Sequence, residues 1–123
     1  MERFTNNIRE SGQQAKVIVH QNLSWRPLVE LIRTGIRADF VYVDDSHQAP
    51  DVLEDAVLSF RILKVGGVMI CDDYLWSWEQ PGRDDILNSP KLAIDAFTNI
   101  YRRKMAILAH LRLYQLALRK LAD

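Results

Sequence analysis

Two pairs of adjacent aspartates, Asp44-Asp45 and Asp72-Asp73, each stand directly after a short apolar run, and His47 lies two residues past the first pair. If the two runs are neighbouring strands of a parallel sheet, their carboxyl ends bring the pairs to one edge, where open α/β folds bind ligands. Adjacent strands lie about 4.8 Å apart, so three of these carboxylates can surround one hard cation such as Mg²⁺. An unperturbed imidazole titrates near neutrality, so His47 at the same edge suits a general base. The bland reading stands beside this one: acids after a strand also cap the next helix or sit in water, and a histidine in such a turn often only hydrogen-bonds at the surface. Crowded without a cation, the aspartates would repel one another and raise some of their pKa values, a conflict relieved either by a ligand or by turning outward. Spacing alone leaves both open.

The elements that must position these groups are legible around them. Residues 39–43 carry Phe40, Val41, Tyr42 and Val43 with no polar alternation, which predicts a strand covered on both faces. After the acidic turn, Pro50 suits a first helical position, and Val52, Leu53, Ala56, Val57, Phe60 and Leu63 form an apolar stripe. Asp51, Glu54 and Asp55 near its start and Arg61 and Lys64 near its end complement the helix dipole. Gly66-Gly67 is expected to end this helix, and residues 68–71 to form a second apolar strand. Two buried strands joined by such a helix make a βαβ unit, expected to be parallel and right-handed.

The flanking segments are plainer. Residues 2–11 predict a short polar helix with Phe4 and Ile8 on one face, stopped by Gly12. The β-branched run Lys16-Val17-Ile18-Val19 suits a strand, and Ser24 is placed to cap a helix on which Leu28, Leu31 and Ile32 recur until Gly35. Residues 76–89, with Pro81 and Gly82, read as a loop able to cover a site, after which Ser89 caps and Pro90 opens a helix bearing Ala93, Ala96, Phe97, Ile100 and Tyr101. Beyond it, residues 105–108 and 113–118 alternate as two strands of a hairpin would. No turn-forming Gly, Pro or Asn-Gly lies between them, however, and local propensity alone continues the helix to Leu121. Trp25, Trp76 and Trp78 can floor a pocket or form a dimer contact, but bulky residues beside loops more often pack over the core.

Composition narrows the class. The 123 residues, 48% hydrophobic and 26% charged, fit one soluble α/β domain spanning 1–123. Sixteen basic residues balance sixteen acidic ones, so no global field draws in nucleic acid or an anionic membrane. The lone Cys71, among Val68, Met69 and Ile70, reads as a buried thiol in a reducing compartment. The polar start and the lack of any apolar run near the roughly 20 residues a membrane span requires predict a cytoplasmic protein.

The run Asp39-Phe40-Val41-Tyr42-Val43-Asp44-Asp45-Ser46-His47, the helix with Asp51 and Asp55, and the run Leu63-Lys64-Val65-Gly66-Gly67-Val68-Met69-Ile70-Cys71-Asp72-Asp73-Tyr74 resemble the central segment of class I S-adenosylmethionine-dependent methyltransferases. The histidine after the first acidic turn, and the aspartate pair plus tyrosine after the second strand, are similar to small-molecule O-methyltransferases. The likeness extends more weakly over residues 2–120, with Ala93-Ile94-Asp95-Ala96-Phe97 matching the helix before a terminal hairpin. It implies an incomplete Rossmann-like fold with a mostly parallel sheet and flanking helices. It further implies Asp44, Asp72 and Asp73 as ligands of a divalent cation, and His47 as general base toward an acceptor hydroxyl.

The departures are as informative. The family's glycine-rich cofactor loop has no counterpart, since none of the five glycines forms a Gly-x-Gly. The family's ribose-binding acid also has none, Asn22 and Leu23 stand where a glycine and an aspartate are frequent, and Asp45 replaces a usual glycine. Without amides that approach the ligand closely, a monomer is not expected to bind the cofactor tightly. In the family, two further strands separate residues 16–20 from residues 39–43; without them an apolar edge is left open, to be closed either by residues 16–20 or by a second copy, and a homodimer is expected. Three functions follow. The preferred one is a methyltransferase-like fragment, self-associating and not catalytic alone, which needs no cofactor. The second is an O-methyltransferase using Mg²⁺, S-adenosylmethionine and a small-molecule acceptor, completed by an oligomer or partner. The third is a metal-dependent phosphoryl-transfer or hydrolytic site, for which no phosphate-binding loop is present.

Overall fold

The computed structural model describes residues 2–44, 46–77, 85–108 and 114–123. Among these residues four α-helices, α1 (Glu2–Glu10), α2 (Trp25–Arg33), α3 (Ala49–Ile62) and α4 (Pro90–Tyr101), accompany four strands, β1 (Ala38–Val43), β2 (Leu63–Cys71), β3 (Met105–Ile107) and β4 (Leu116–Lys120). The strands form one sheet in the order β1-β2-β4-β3. Only β1 and β2 pair in parallel; β2 with β4, and β4 with β3, run antiparallel. The sheet is therefore mixed rather than mostly parallel, because the terminal hairpin inserts β4 beside β2.

The parallel pair is the expected βαβ unit. Pro50 lies in the first turn of α3, and Val52, Ala56 and Phe60 bury against Val43, Met69 and Cys71. On α4, Ser89 accepts a hydrogen bond from the Lys91 amide as the sequence predicts, and Ala93, Ile94 and Phe97 join the same core. Phe60 meets Phe97 and Tyr101 edge-on, with ring centroids 5.6 and 5.2 Å away. Such aromatic pairs add to simple area burial. Ile100, placed on that face by periodicity, is instead 75% exposed.

Four expectations are corrected. Residues 17–20 form no strand and follow a single 3₁₀ turn, Gln14–Lys16, with Ile18 83% exposed. Val17 has extended backbone, but a strand forms only where a neighbour can satisfy its backbone groups, and β1, at the edge of the sheet, pairs with β2 alone among the described strands. Ser24 does not cap α2; it is helical itself, and its hydroxyl donates to Asp55 on α3 at 2.7 Å. Gly66-Gly67 does not end α3, which stops at Ile62; Leu63 turns directly into β2, and the glycines lie within that strand. There the register moves from Ala38↔Leu63 to Phe40↔Val68, so extra residues of β2 bulge out, with Gly66 at φ +87°. Finally, β1 is not covered on both faces: Val41 and Val43 turn toward the core, while Phe40 and Tyr42 are 54% and 43% exposed.

The ambiguous tail is a hairpin, β3 pairing with β4 through Met105↔Lys120 and Ile107↔Leu118. Tertiary pairing overrides helix propensity here because Leu118 and Ala117 fill the core beside β2. Trp78, Pro81, Gly82, Asp45, Leu111 and Leu113 lie outside the described residues. None of the described helices is long and apolar enough to cross a membrane.

Candidate functional site

The carboxyl ends of β1 and β2 are level, with Val43 paired to Cys71 and the Asp72 amide donating to the Val43 carbonyl at 2.9 Å. Asp44 therefore leaves β1 beside Asp72 and Asp73 leaving β2. The chain then turns sharply at two places. His47 has φ +68° and Asp73 φ +52°, the two non-glycine residues in the left-handed region among those described. That conformation costs an ordinary side chain on the order of 1 kcal/mol or more and persists only where the surroundings hold it.

The two strained residues meet. His47 Nε2 and Asp73 Oδ2 are 2.7 Å apart, both side chains about three-quarters buried, and the His47 ring lies 4.1 Å from the Trp76 ring. Trp76 is in turn fixed by its amide donating to the Asp73 carbonyl at 2.8 Å. This tryptophan thus packs on the site's histidine, nearer to the pocket alternative that the sequence left open than to the favoured packing over the core. Asp44 completes a trio: Asp44, His47 and Asp73 each offer a ligand atom within 4.8 Å of the others. They line, together with Asp72, a cavity of about 10 Å³. That is space for about one water-sized particle.

Asp72 is drawn aside. It accepts a short hydrogen bond from the Tyr42 hydroxyl, which itself accepts from Gln115 Nε2 at 3.0 Å. Partial burial pushes the Asp72 carboxyl up, but hydrogen bonds from Tyr42, the Asp73 amide and Gln115 outweigh it and hold the group below the ordinary carboxylate range. The same bond to Asp72 pushes the Tyr42 phenol up. Of the sequence-predicted residues, the structure brings Asp44, His47 and Asp73 together and places Asp72 at the wall of the same cavity, committed to a phenol. Tyr42 and Gln115 were missed: Tyr42 read as a buried strand residue, and Gln115 follows a stretch whose conformation the sequence left undecided.

Next to this edge a second polar group stands. Tyr74 donates to Asp95 Oδ1 at 2.7 Å, and Lys91 contacts both, donating to the Tyr74 hydroxyl at 3.2 Å and pairing closely with Asp95. Burial raises the Asp95 carboxyl, yet the bonds from Lys91 and Tyr74 bring it net below the usual range. Leu75, Ile86 and Leu92 with Lys91 and Asp95 line an open cleft of about 410 Å³.

With this geometry in hand, the first 74 residues, 1–74, match a family model described as a methyltransferase domain. The chain belongs to that family. Solved structures agree on the fold of this methyltransferase domain. The MycE methyltransferase from the mycinamycin biosynthetic pathway, in complex with Mg, SAH and mycinamycin VI, is similar over 85% of this chain and 31% of its own, with a TM-score of 0.59 and 16% identity. An O-methyltransferase family protein from Burkholderia thailandensis is similar over 99% of this chain and 41% of its own, with a TM-score of 0.63 and 14% identity. The domain thus spans well under half the length of either chain. No curated protein matches it.

Whether the residues fit the two groups such a fold implies can be tested on the donors. Two carboxylates, one imidazole and an atom-sized cavity fit a small divalent cation. The fit to S-adenosylmethionine is poor. Gly12 and Gly35 follow helices and Gly66 and Gly67 lie inside β2, so none of these described glycines opens a helix after a strand, where amides cradle such a cofactor.

Proposed function

We propose that this methyltransferase domain is the acceptor-side portion of a small-molecule O-methyltransferase, holding the metal and the general base while the donor-binding surface comes from outside these residues. The convergence of Asp44, His47 and Asp73 at one strand edge carries this reading. Hard carboxylate oxygens suit Mg²⁺ better than imidazole does, which assigns Asp44 and Asp73, with Asp72 at the cavity wall, to the cation and His47 to the proton. When bound, the cation would polarise an acceptor hydroxyl and lower its pKa. Asp73 and the Trp76 ring fix the His47 imidazole, so that it can receive the hydroxyl proton without reorienting. The open cleft beside Tyr74 and Lys91 gives an acceptor an apolar wall and polar contacts.

Calorimetric titration tests the reading. Mg²⁺ should bind saturably to the chain and lose that binding in Asp44→Asn with Asp73→Asn, whereas S-adenosylhomocysteine alone should give no heat. Absence of metal binding refutes the metal assignment, and tight nucleoside binding to a monomer refutes the incomplete donor site.

The open edge of β1, with Phe40 and Tyr42 exposed, favours self-association as well. Light scattering after size exclusion at micromolar concentration should show a dimer that Phe40→Lys disperses; a monomer throughout removes this part of the proposal.

A further inference from the structure

At the opposite end of the parallel pair, a second cleft of about 350 Å³ gathers Arg37, Arg61, Lys104 and Lys120 around one acid, Asp123. Counted over the lining side chains, four cations stand against one carboxylate, on a chain whose Lys and Arg side chains as a whole balance its Asp and Glu. Attraction to a helix C-terminus explains part of this. Lys120 is 2% exposed, and its ammonium donates to the Phe60 and Leu63 carbonyls at 2.8 and 2.9 Å, just where α3 ends. Arg37 likewise donates one N–H to the Arg61 carbonyl at 2.6 Å. That leaves most of the five guanidinium donors of Arg37 unused by α3. Arg61, in the last turn of α3, is drawn to the same helix end, but neither it nor Lys104 makes an ion pair among the described residues, and Lys104 lies beyond α4.

The cleft already holds an oxyanion of its own. The Asp123 carboxylate accepts from Lys120 at 2.8 Å and stands 3.7 Å from Arg37, yet its side chain is 69% exposed. Lys120, Arg37 and Lys104 together hold that carboxyl below its ordinary range. Phe60 and Tyr101 line the cleft with aromatic surface. An external ligand with an apolar body and a doubly charged head would match the remaining charge and this lining together.

We propose that this cleft binds a small organic phosphate, its phosphate taking the place of the Asp123 carboxylate between Arg37 and Lys104 and its body resting against Tyr101. The site is separate from the Asp44–Asp73 edge and does not rest on the methyltransferase reading. The probe is phenyl phosphate, with inorganic phosphate and phenol as the separate halves, followed by amide NMR titration of the full chain. Phenyl phosphate should bind saturably, with shifts centred on Tyr101 and Lys104, and at least about tenfold more tightly than either half. Arg37→Gln should weaken it about tenfold through loss of a charge-assisted contact, and Asp123→Asn should tighten it about fivefold by removing the internal competitor. Arg37 also bonds the Arg61 carbonyl and Asp123 pairs with buried Lys120, so the urea-unfolding midpoint of each variant is compared with that of the parent chain to separate lost affinity from lost stability. Absence of saturation at millimolar concentrations, shifts centred on Asp44 and Asp73, equal affinity for inorganic phosphate, or indifference to Arg37→Gln would each overturn the proposal.

Discussion

His47 and Asp73 are joined twice: their side chains meet at 2.7 Å, and both carry the left-handed backbone that the other described non-glycine residues avoid. Strain that two partners share at a ligand-sized cavity is best tested at the backbone. At an ordinary exposed position alanine is more stabilising than glycine by roughly 0.5–1 kcal/mol. At position 73 the order should reverse, Asp73→Gly exceeding Asp73→Ala by about 1 kcal/mol in urea unfolding, because only glycine releases the strain. Both variants lose the carboxylate, so Mn²⁺ titration followed by electron paramagnetic resonance should show at least tenfold weaker binding in each. Alanine as the more stable variant would mean that no strain is stored there.

The Tyr42–Asp72 bond gives a pH signature. The folded Asp72 pKa is depressed, so its contribution to stability is complete above the ordinary carboxylate pKa and disappears as the pH falls through the lowered value. Tyr42→Phe removes the largest of the bonds that lower it and should move the Asp72 titration upward, toward an ordinary aspartate, in carboxyl ¹³C NMR. The stability difference between the two proteins should then be present at neutral pH and vanish in acid. An unmoved Asp72 titration would show that the bond is not formed in solution.

How much of this arrangement could be read beforehand varies along the chain. Residues 39–43 and 68–71 announced strands because apolar side chains run unbroken over 40–43 and 68–71, and Pro50 and Ser89 marked helix starts by chemistry that acts locally. Residues 16–20 had the same local chemistry but no neighbour to pair with, and pairing is not a local property. Gly66-Gly67 signalled a break without saying whether a helix or a strand was being broken. At the site, adjacent residues past a strand end diverge, so Asp72 and Asp73 cannot both be assigned inward from sequence. The positive φ of Asp73 and the reach of Tyr42 decide between them, and both depend on tertiary contacts.

Cys71 offers a check on the core behind the site. It is 1% exposed, and burial pushes its thiol up to about 12. Reaction requires thiolate, so at pH 8 the folded chain should label with a disulfide reagent at least about a hundredfold more slowly than the urea-unfolded chain. Labelling of the folded chain at the unfolded rate would mean that the β2 end opens freely, and the trio it supports could not be preorganised.

The glycine pair in β2 separates two causes of glycine preference within adjacent residues. Gly66 has φ +87° and open space where a Cβ would go, so Gly66→Ala meets only backbone strain, roughly 1–2 kcal/mol. Gly67 has no positive φ, but a Cβ there would lie 2.8 Å from Leu63 Cδ1, 2.9 Å from the Lys64 carbonyl oxygen and 3.0 Å from that of Asp39. Two of those neighbours are backbone, Asp39 on β1 and Lys64 on β2 itself, so relieving the clash takes both a shift of β1 and a change in the bulge. Gly67→Ala should therefore cost about 2–3 kcal/mol, at the upper end of overpacking effects. Asparagine tolerates left-handed backbone, so Gly66→Asn should recover part of the loss at position 66, while Gly67→Asn should recover nothing. Denaturant unfolding of the four variants checks the order. Rescue at 67 rather than 66 would place the bulge one residue later, and with it the register that brings Asp44 level with Asp73.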